Sequence, residues 1–391
     1  MKQFKSICIL SDDYPSAGRP VYIFVEQLVH AFLDIGVVVY VIAPQSVTRS
    51  MIRGVHLLPR RQKYQSPCGC DYWVYRPYSV SFSNGNAFLY RIFDGFNQRA
   101  LESVLENIRV DVLYGHFWHN AYKLKGFARK NHLPLFVACG EGDDAMERLA
   151  ASLSTDEKKQ LAEAVTGVIS VSTENKRRSI SLGLAQERNI TVLPNAVDIT
   201  KFHPMERNKG LRQSLGVRDD DFLVLFVGYY IPRKGCHILA EAINKLDDPK
   251  IKVMFVGESL KGFMFDPDCR GIVYKGGVPH DELPAFYASA DIFVLPTLKE
   301  GCSNAIIEAL AMAVPVVSSD GPFNDDILND NNSIRVNPMN VDAIMVAIKK
   351  LRQDNQYYQR LKLQMSSAAG HYSISERSQK IVSFINRQME S

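Results

Sequence analysis

Short runs of β-branched and aliphatic residues alternate along the chain with stretches whose apolar positions recur every three or four residues. Ser6–Ser11 predicts a first strand, and Val25, Leu28, Val29, Phe32 and Leu33 then mark one face of a helix closed by Gly36. Val37–Ala43 is apolar nearly throughout, as a strand covered on both faces requires, and similar runs recur at Val110–Tyr114, Leu135–Ala138 and Val168–Val171. This rhythm predicts a parallel sheet flanked by helices. It restarts in the second half, where Phe222–Gly228, Ile251–Gly257, Gly271–Lys275, Asp291–Thr297, Val314–Ser319 and Ser333–Val336 read as six strands. Six such strands fit a doubly wound sheet whose ligand crevice lies at the carboxyl ends. Between the halves, Asp198–Arg212 carries Pro204, Gly210 and a basic composition, and is the expected linker. Near the end, Ser373 and Glu376 have capping-box spacing. Ile381, Phe384, Ile385 and Met389 lay an apolar stripe along the helix behind them.

A chain of 391 residues is too long for one growing core. Two domains are expected, over residues 1–200 and 205–370, with 371–391 packing back on the first. The formal net charge of +4 is too small to argue for nucleic acid and is compatible with an anionic substrate or a weak attraction to membrane. No stretch approaches the roughly 18 apolar residues of a spanning helix. The expectation is therefore a soluble, cytoplasmic protein. Seven scattered cysteines include one close pair, Cys68 and Cys70, without a second pair at zinc-like spacing, so reduced thiols are expected.

The stretch richest in chemistry is Leu295–Pro315. A buried strand ends at Pro296, a polar loop follows, and Ser303 or Asn304 caps a helix with Ile306, Ala309, Leu310 and Ala313 on its buried side. The N-terminus of that helix offers free N–H groups and a positive dipole end to a diphosphate. Glu300 stands in the loop and Glu308 further along the helix. Two carboxylates repel a bare phosphate but accept from sugar hydroxyls, which favours a sugar nucleotide.

Glu300 and Glu308, seven residues intervening, followed by Ala-Leu-Ala-Met-Ala-Val-Pro, resemble the signature of the retaining GT-B glycosyltransferases of family 4 (glycosyl transferases group 1). Leu193–Asp198 with Phe202 and Pro204, Phe226–Gly235, and Val278–Asp291 are similar to further ordered motifs of that family. The resemblance implies an α/β GT-B fold of two facing Rossmann-like doubly wound domains with a C-terminal crossover helix. It implies metal-independent transfer from a nucleotide-diphosphate sugar to a hydroxyl of a glycan or lipid-linked acceptor, with retention of configuration. A UDP- or GDP-sugar is expected as donor substrate, no cofactor or metal, and no nucleic acid. Carried onto this chain, Lys234 would neutralise the leaving diphosphate, Glu300 would hold the donor sugar, and Glu308 would accept from the ribose. Gly228, Arg233, Ser303 and Asn304 would complete the donor site, and His116, in Asp111–His119, would face the reacting centre. The loop Tyr14–Arg19, with Gly18 and Arg19, is similar to the family's acceptor loop.

Three departures stand out. Tyr229 occupies a position where the family places arginine, Ala313 replaces a glycine, and the segment 321–327 lacks a typical Pro-Glu pair. They motivate a rival reading, a glycosyltransferase-like subunit that binds a partner with little or no turnover. Another rival acts on sugar phosphates or other soluble acceptors. His119 has no obvious partners for a metal, and Asp219–Asp221 and Asp266–Asp268 read as solvated turns. Thr48–Tyr64 combines Arg49, Arg53, Arg60, Arg61 and Lys63 with Met51, Ile52, Val55, Leu57 and Leu58 and has no acid. It reads as a peripheral contact with the inner face of a membrane or as an ordinary strand and loop. No Gly-x-Gly-x-x-Gly follows the first strand of either half, which excludes a dinucleotide-dependent dehydrogenase.

Overall fold

A computed structural model describes residues 4–16, 18–80, 87–259 and 265–390. Contacts divide the chain into two units. The first holds residues up to Val171, Asn175–Leu193 and Ser378 onward, and the second holds Ser172–Glu174 and Pro194–Arg377.

The first unit is built on strands β1 (Ser6–Leu10), β2 (Val38–Ile42), β3 (Arg61–Gln65), β4 (Asp71–Tyr75), β5 (Val112–His116), β6 (Leu135–Cys139), β7 (Gly167–Ser170) and β8 (Ile190–Val192). Their order across the sheet is β8-β7-β6-β5-β1-β2-β4-β3. All pairings are parallel except β3 with β4, an antiparallel edge hairpin that the periodicity did not reveal. Its edge strand presents Arg61, Gln62 and Lys63 to solvent, a composition that blunts an open sheet edge. Helix α1 (Ile23–Asp34) buries Val25, Leu28, Val29 and Phe32 as its spacing predicts. Helix α2 (Val47–Arg53) is capped by Ser46, whose side chain accepts from Arg49 N–H.

Strand β5 runs to His116, two residues past the end read from its apolar run. Gly115 permits this: a Cβ there would stand 2.4 Å from the backbone nitrogen of Ala121 in helix α3 (Trp118–Asn131). The helix can therefore lie directly against the strand.

The second unit carries β9 (Phe222–Val227), β10 (Ile251–Val256), β11 (Ile272–Gly276), β12 (Ile292–Leu295), β13 (Val316–Ser319) and β14 (Ser333–Val336). All its pairings are parallel, in the order β11-β10-β9-β12-β13-β14. This is the doubly wound order, and its direction reverses between β9 and β12. Helix α4 (Cys236–Leu246) follows β9, and helix α5 (Asn304–Ala311) follows β12. The loops leading into both helices therefore open on the crevice at the switch point.

Asp198–Arg212 does not separate the two units but belongs to the second, anchored at two buried residues. Phe202 is fully buried. Arg212 pairs with Asp291 at 3.1 Å and donates to the carbonyls of Ser289 and Asp221 at 2.9 and 2.6 Å. A buried counter-charge 79 residues away makes a basic segment look solvated in sequence.

The last helix, α6 (Ile374–Glu390), begins behind Ser373, whose hydroxyl accepts from Glu376 N–H at 3.4 Å. Ile381, Val382, Phe384 and Ile385 enter the core of the first unit with Phe4, Ile9, Val39 and Phe136. The apolar stripe ends there, since Met389 is 36% exposed.

Candidate active site

The loop after β9 contains a 3-10 turn, Pro232–Lys234, and the loop after β12 runs from Pro296 to Ser303. The two are stitched together. Leu298 N–H donates to Arg233 O at 2.7 Å, with Thr297 Oγ1 3.1 Å from the same oxygen, while Arg233 Nη1 donates to Lys299 O at 2.6 Å. Gly235 makes this approach possible. It adopts φ 71°, and a Cβ would lie 2.2 Å from Pro296 O. Gly228 follows β9 directly, and its N–H donates to Val256 O at 2.9 Å.

This stitching brings Glu300 against both cations. Its Oε1 lies 2.5 Å from Lys234 Nζ and 2.8 Å from Thr297 Oγ1, and its Oε2 lies 3.3 Å from Arg233 Nη1. Glu300 is only 7% exposed. Burial by itself pushes its carboxyl up. The charges of Lys234 and Arg233, with hydrogen bonds from Lys234 and Thr297, outweigh that and hold it below the ordinary value. Lys234 and Glu300, assigned separately from sequence, are thus direct partners, and Arg233 supplies the second positive charge. Tyr229 is half exposed and contributes none.

Ser303 occupies the N-cap of α5, yet its hydroxyl makes no capping bond. Its Oγ is buried and, among the described residues, has no hydrogen-bond partner. Asn304 Oδ1 accepts from Asn195 Nδ2 at 2.8 Å, and the same Nδ2 donates to Cys302 O at 3.0 Å. One turn further on, Glu308 accepts from the Tyr287 hydroxyl at 2.9 Å and lies 3.5 Å from His280 Nε2. Burial, reinforced by Glu308, holds the Tyr287 hydroxyl well above its ordinary value, so this phenol stays a donor.

Two of the departures in sequence acquire a structural account. Ala313 does not pack along α5 as its place in the stripe implied. It sits just past the helix end at φ 54°, with Val314 N–H bonded to Ala309 O and Ala313 N–H to Leu310 O. That is a Schellman closure, a left-handed position that favours glycine. The segment 321–327 supports the loop after β12 in its own way. Asn324 Nδ2 donates to Ser319 O at 2.9 Å, and the Ser319 hydroxyl donates to Thr297 O.

In the first unit, His116 is 8% exposed, its ring 5.3 Å from Phe24 and 4.6 Å from Phe117. Phe117 adopts φ 77°, ψ 155°, a strained conformation for a bulky residue, and Glu141 Oε1 accepts the following Trp118 N–H at 2.7 Å. His119 has a carboxylate beside it after all: Asp12 Oδ1 lies 2.6 Å from its Nε2, with Lys123 Nζ at 3.8 Å from the same oxygen. Gly18 adopts φ 72°, and Arg19 pairs with Asp13 at 2.5 Å. Asp12, Asp13, Arg19, Tyr22, Arg49 and Lys123 line part of a cleft of about 540 Å³ within this unit. Among the described residues no group of three or more His, Cys, Asp or Glu could hold a metal ion. Of the two Asp-x-Asp segments, the first is a turn with Asp219 and Asp220 exposed, and only Asp221 departs from the solvated reading, being buried and accepting from Arg218 N–H at 2.8 Å.

Residues 221–354 match the family of glycosyl transferases group 1. The TuaC glycosyltransferase of Bacillus subtilis is 30% identical over 165 residues, 42% of this chain and 42% of that protein. The capsular polysaccharide biosynthesis glycosyltransferase CapM of Staphylococcus aureus is 28% identical over 222 residues, 54% of this chain and 55% of that protein. The chain thus spans about half the length of these curated relatives. HepE from Anabaena, solved in complex with UDP and glucose, matches with a TM-score of 0.70 at 16% identity, over 98% of this chain and 99% of that one. The fold is GT-B. The family match and the curated relatives each fall on part of the chain, and the proteins they name are glycosyltransferases.

Sequence reasoning missed Thr297, Asn195, Tyr287 and His280, each of which touches a residue assigned to the site from sequence. Asn195 and the Tyr287–His280 pair lie inside motifs that carried the resemblance. The signal was therefore present, but a motif does not say which of its members reach the site.

Proposed function

We propose that the chain transfers a sugar from a nucleotide-diphosphate sugar, UDP- or GDP-linked, to a hydroxyl of a glycan or lipid-linked acceptor, with retention and without a metal. The observation that carries this is Glu300 held between Lys234 and Arg233 at the switch point, beside the open hydroxyl of Ser303. A diphosphate arriving at the N-terminus of α5 meets N–H groups and two cations. As the glycosidic bond breaks, Lys234 and Arg233 offset the charge that grows on the leaving oxygen. A group in that role is typically worth about 2.7–4 kcal/mol. Displaced from Lys234, Glu300 accepts from hydroxyls of the sugar, and the outer lone pairs of Glu308 accept from the ribose. His116 is assigned to the reacting centre, and Gly18 and Arg19 to the acceptor.

Calorimetric titration with UDP, GDP, ADP and CMP, without added metal, tests the donor assignment. Saturable binding of one nucleotide, weakened in Glu308→Ala, supports it, and no binding to any of them overturns it. A non-catalytic binding subunit is the second reading, favoured by Tyr229 where a further cation is expected. It predicts nucleotide binding without turnover.

The setting of the reaction is proposed to be a membrane surface. Helix α2 exposes Met51 and Ile52 at 80% and 79%, next to Arg49 and followed by exposed Val55 and Leu57. Apolar residues so exposed beside arginine fit the interface of an anionic bilayer. No described helix is long and apolar enough to cross one. Co-sedimentation with anionic but not neutral vesicles, lost in a Met51→Ser, Ile52→Ser double variant, is the expected result.

A further inference from the structure

The edge hairpin β3–β4 turns through Ser66–Cys70, and its backbone is already closed by hydrogen bonds. Ser66 N–H donates to Cys70 O at 2.9 Å, Gly69 N–H to Ser66 O at 2.9 Å, and Cys70 N–H to Ser66 Oγ at 3.2 Å. Inside this frame the Cys68 and Cys70 sulfurs stand 3.2 Å apart, and Ser66 Oγ lies 2.9 Å from Cys68 Sγ. Cys68 is exposed and Cys70 is half-buried, whereas Cys8, Cys139, Cys236 and Cys302 are buried.

We propose that Cys68 and Cys70 form a dithiol–disulfide site that reacts with small-molecule disulfides such as oxidised glutathione. A disulfide bond measures about 2.05 Å, so ring closure needs little more than an ångström of sulfur movement. The loop entropy such closure normally costs is already spent on the hairpin's own hydrogen bonds. Cys68 is the exposed member of the pair and so is the sulfur that a dissolved disulfide meets first.

The Cys68 thiolate attacks one sulfur of the small disulfide, an S–S bond forms to Cys68, and one thiolate departs. Cys70, on losing its proton, then attacks the Cys68 sulfur and expels the second thiolate. The protein loses two protons and two electrons, and one small disulfide becomes two thiols. Because the hairpin bonds persist, the sheet edge is retained in both forms.

The full-length reduced protein, equilibrated in glutathione buffers of graded oxidised fraction, is the sample to test. Intact mass and peptide mapping should show a species lighter by two hydrogens, with the link confined to the peptide containing both residues. In Cys70→Ser the reaction should stop as a stable glutathione adduct on Cys68, and in Cys68→Ser neither product should form. Circular dichroism before and after confirms that the fold is unchanged. A stable glutathione adduct on Cys68 in the wild-type protein, or reaction at Cys269 with none at this pair, would overturn the proposal.

Discussion

Two ion pairs of equal length, one in each unit, behave differently because of where they sit. Lys234–Glu300 and Arg19–Asp13 are both 2.5 Å long. The side chains of the first are 15% and 8% exposed, and those of the second 48% and 28%. Water screens the second pair and supplies either partner if the other is removed. The first pair has no such reserve, so each charge depends on the other and on the loops that hold them. The comparison teaches that Lys234 and Glu300 are part of the fold, whereas Arg19 is not, which suits the acceptor role proposed for it.

The largest expected effect follows directly. Lys234→Met should cost about 3–5 kcal/mol, because it leaves Glu300 buried with only Arg233 opposite. The urea midpoint reads this, and a loss under about 1 kcal/mol would break the comparison. Gly235→Ala comes next. The left-handed backbone and the approach to Pro296 O together should cost about 2–4 kcal/mol, measured the same way.

Acid sharpens the contrast. Folding holds the Glu300 carboxyl below its ordinary value. Its contribution is therefore complete above the unfolded value, about 4.3, and is lost as pH falls through the lower folded value. The gap in urea midpoint between wild type and Glu300→Gln should narrow as pH falls below about 4.3. A gap independent of pH would remove the charge from the argument. Ala313→Gly should stabilise the second unit by about 1 kcal/mol by relieving a left-handed alanine. Arg19→Gln should change stability by under about 0.5 kcal/mol and reveal itself in acceptor kinetics instead.

The doubly wound order, the strand-loop-helix at 292–311 and the glutamate pair were legible because each is local. A period of two or 3.6 and a short motif need only neighbouring residues. The contacts that complete the site were not. Glu300 meets Lys234 from 66 residues away, Asn195 reaches Asn304 across 109, and Asp12 meets His119 across 107. No periodicity encodes such pairings. The antiparallel β3–β4 edge escaped notice for a different reason. Strand β3 is mostly exposed, so it lacks the apolar alternation that marks a half-buried strand and that β4 retains at Tyr72 and Val74.

Helix α6 imposes an order of events on the making of this chain. Ile381, Phe384 and Ile385 fill the same core as Phe4 and Ile9, yet they are almost four hundred codons behind them in translation. Residues 222–336 can pair all their strands while the ribosome is still working, but the first unit waits with an open wall until the final helix emerges. A fragment cut after Leu193 would carry its whole sheet and still lack part of its interior, so the unit made first is the one finished last.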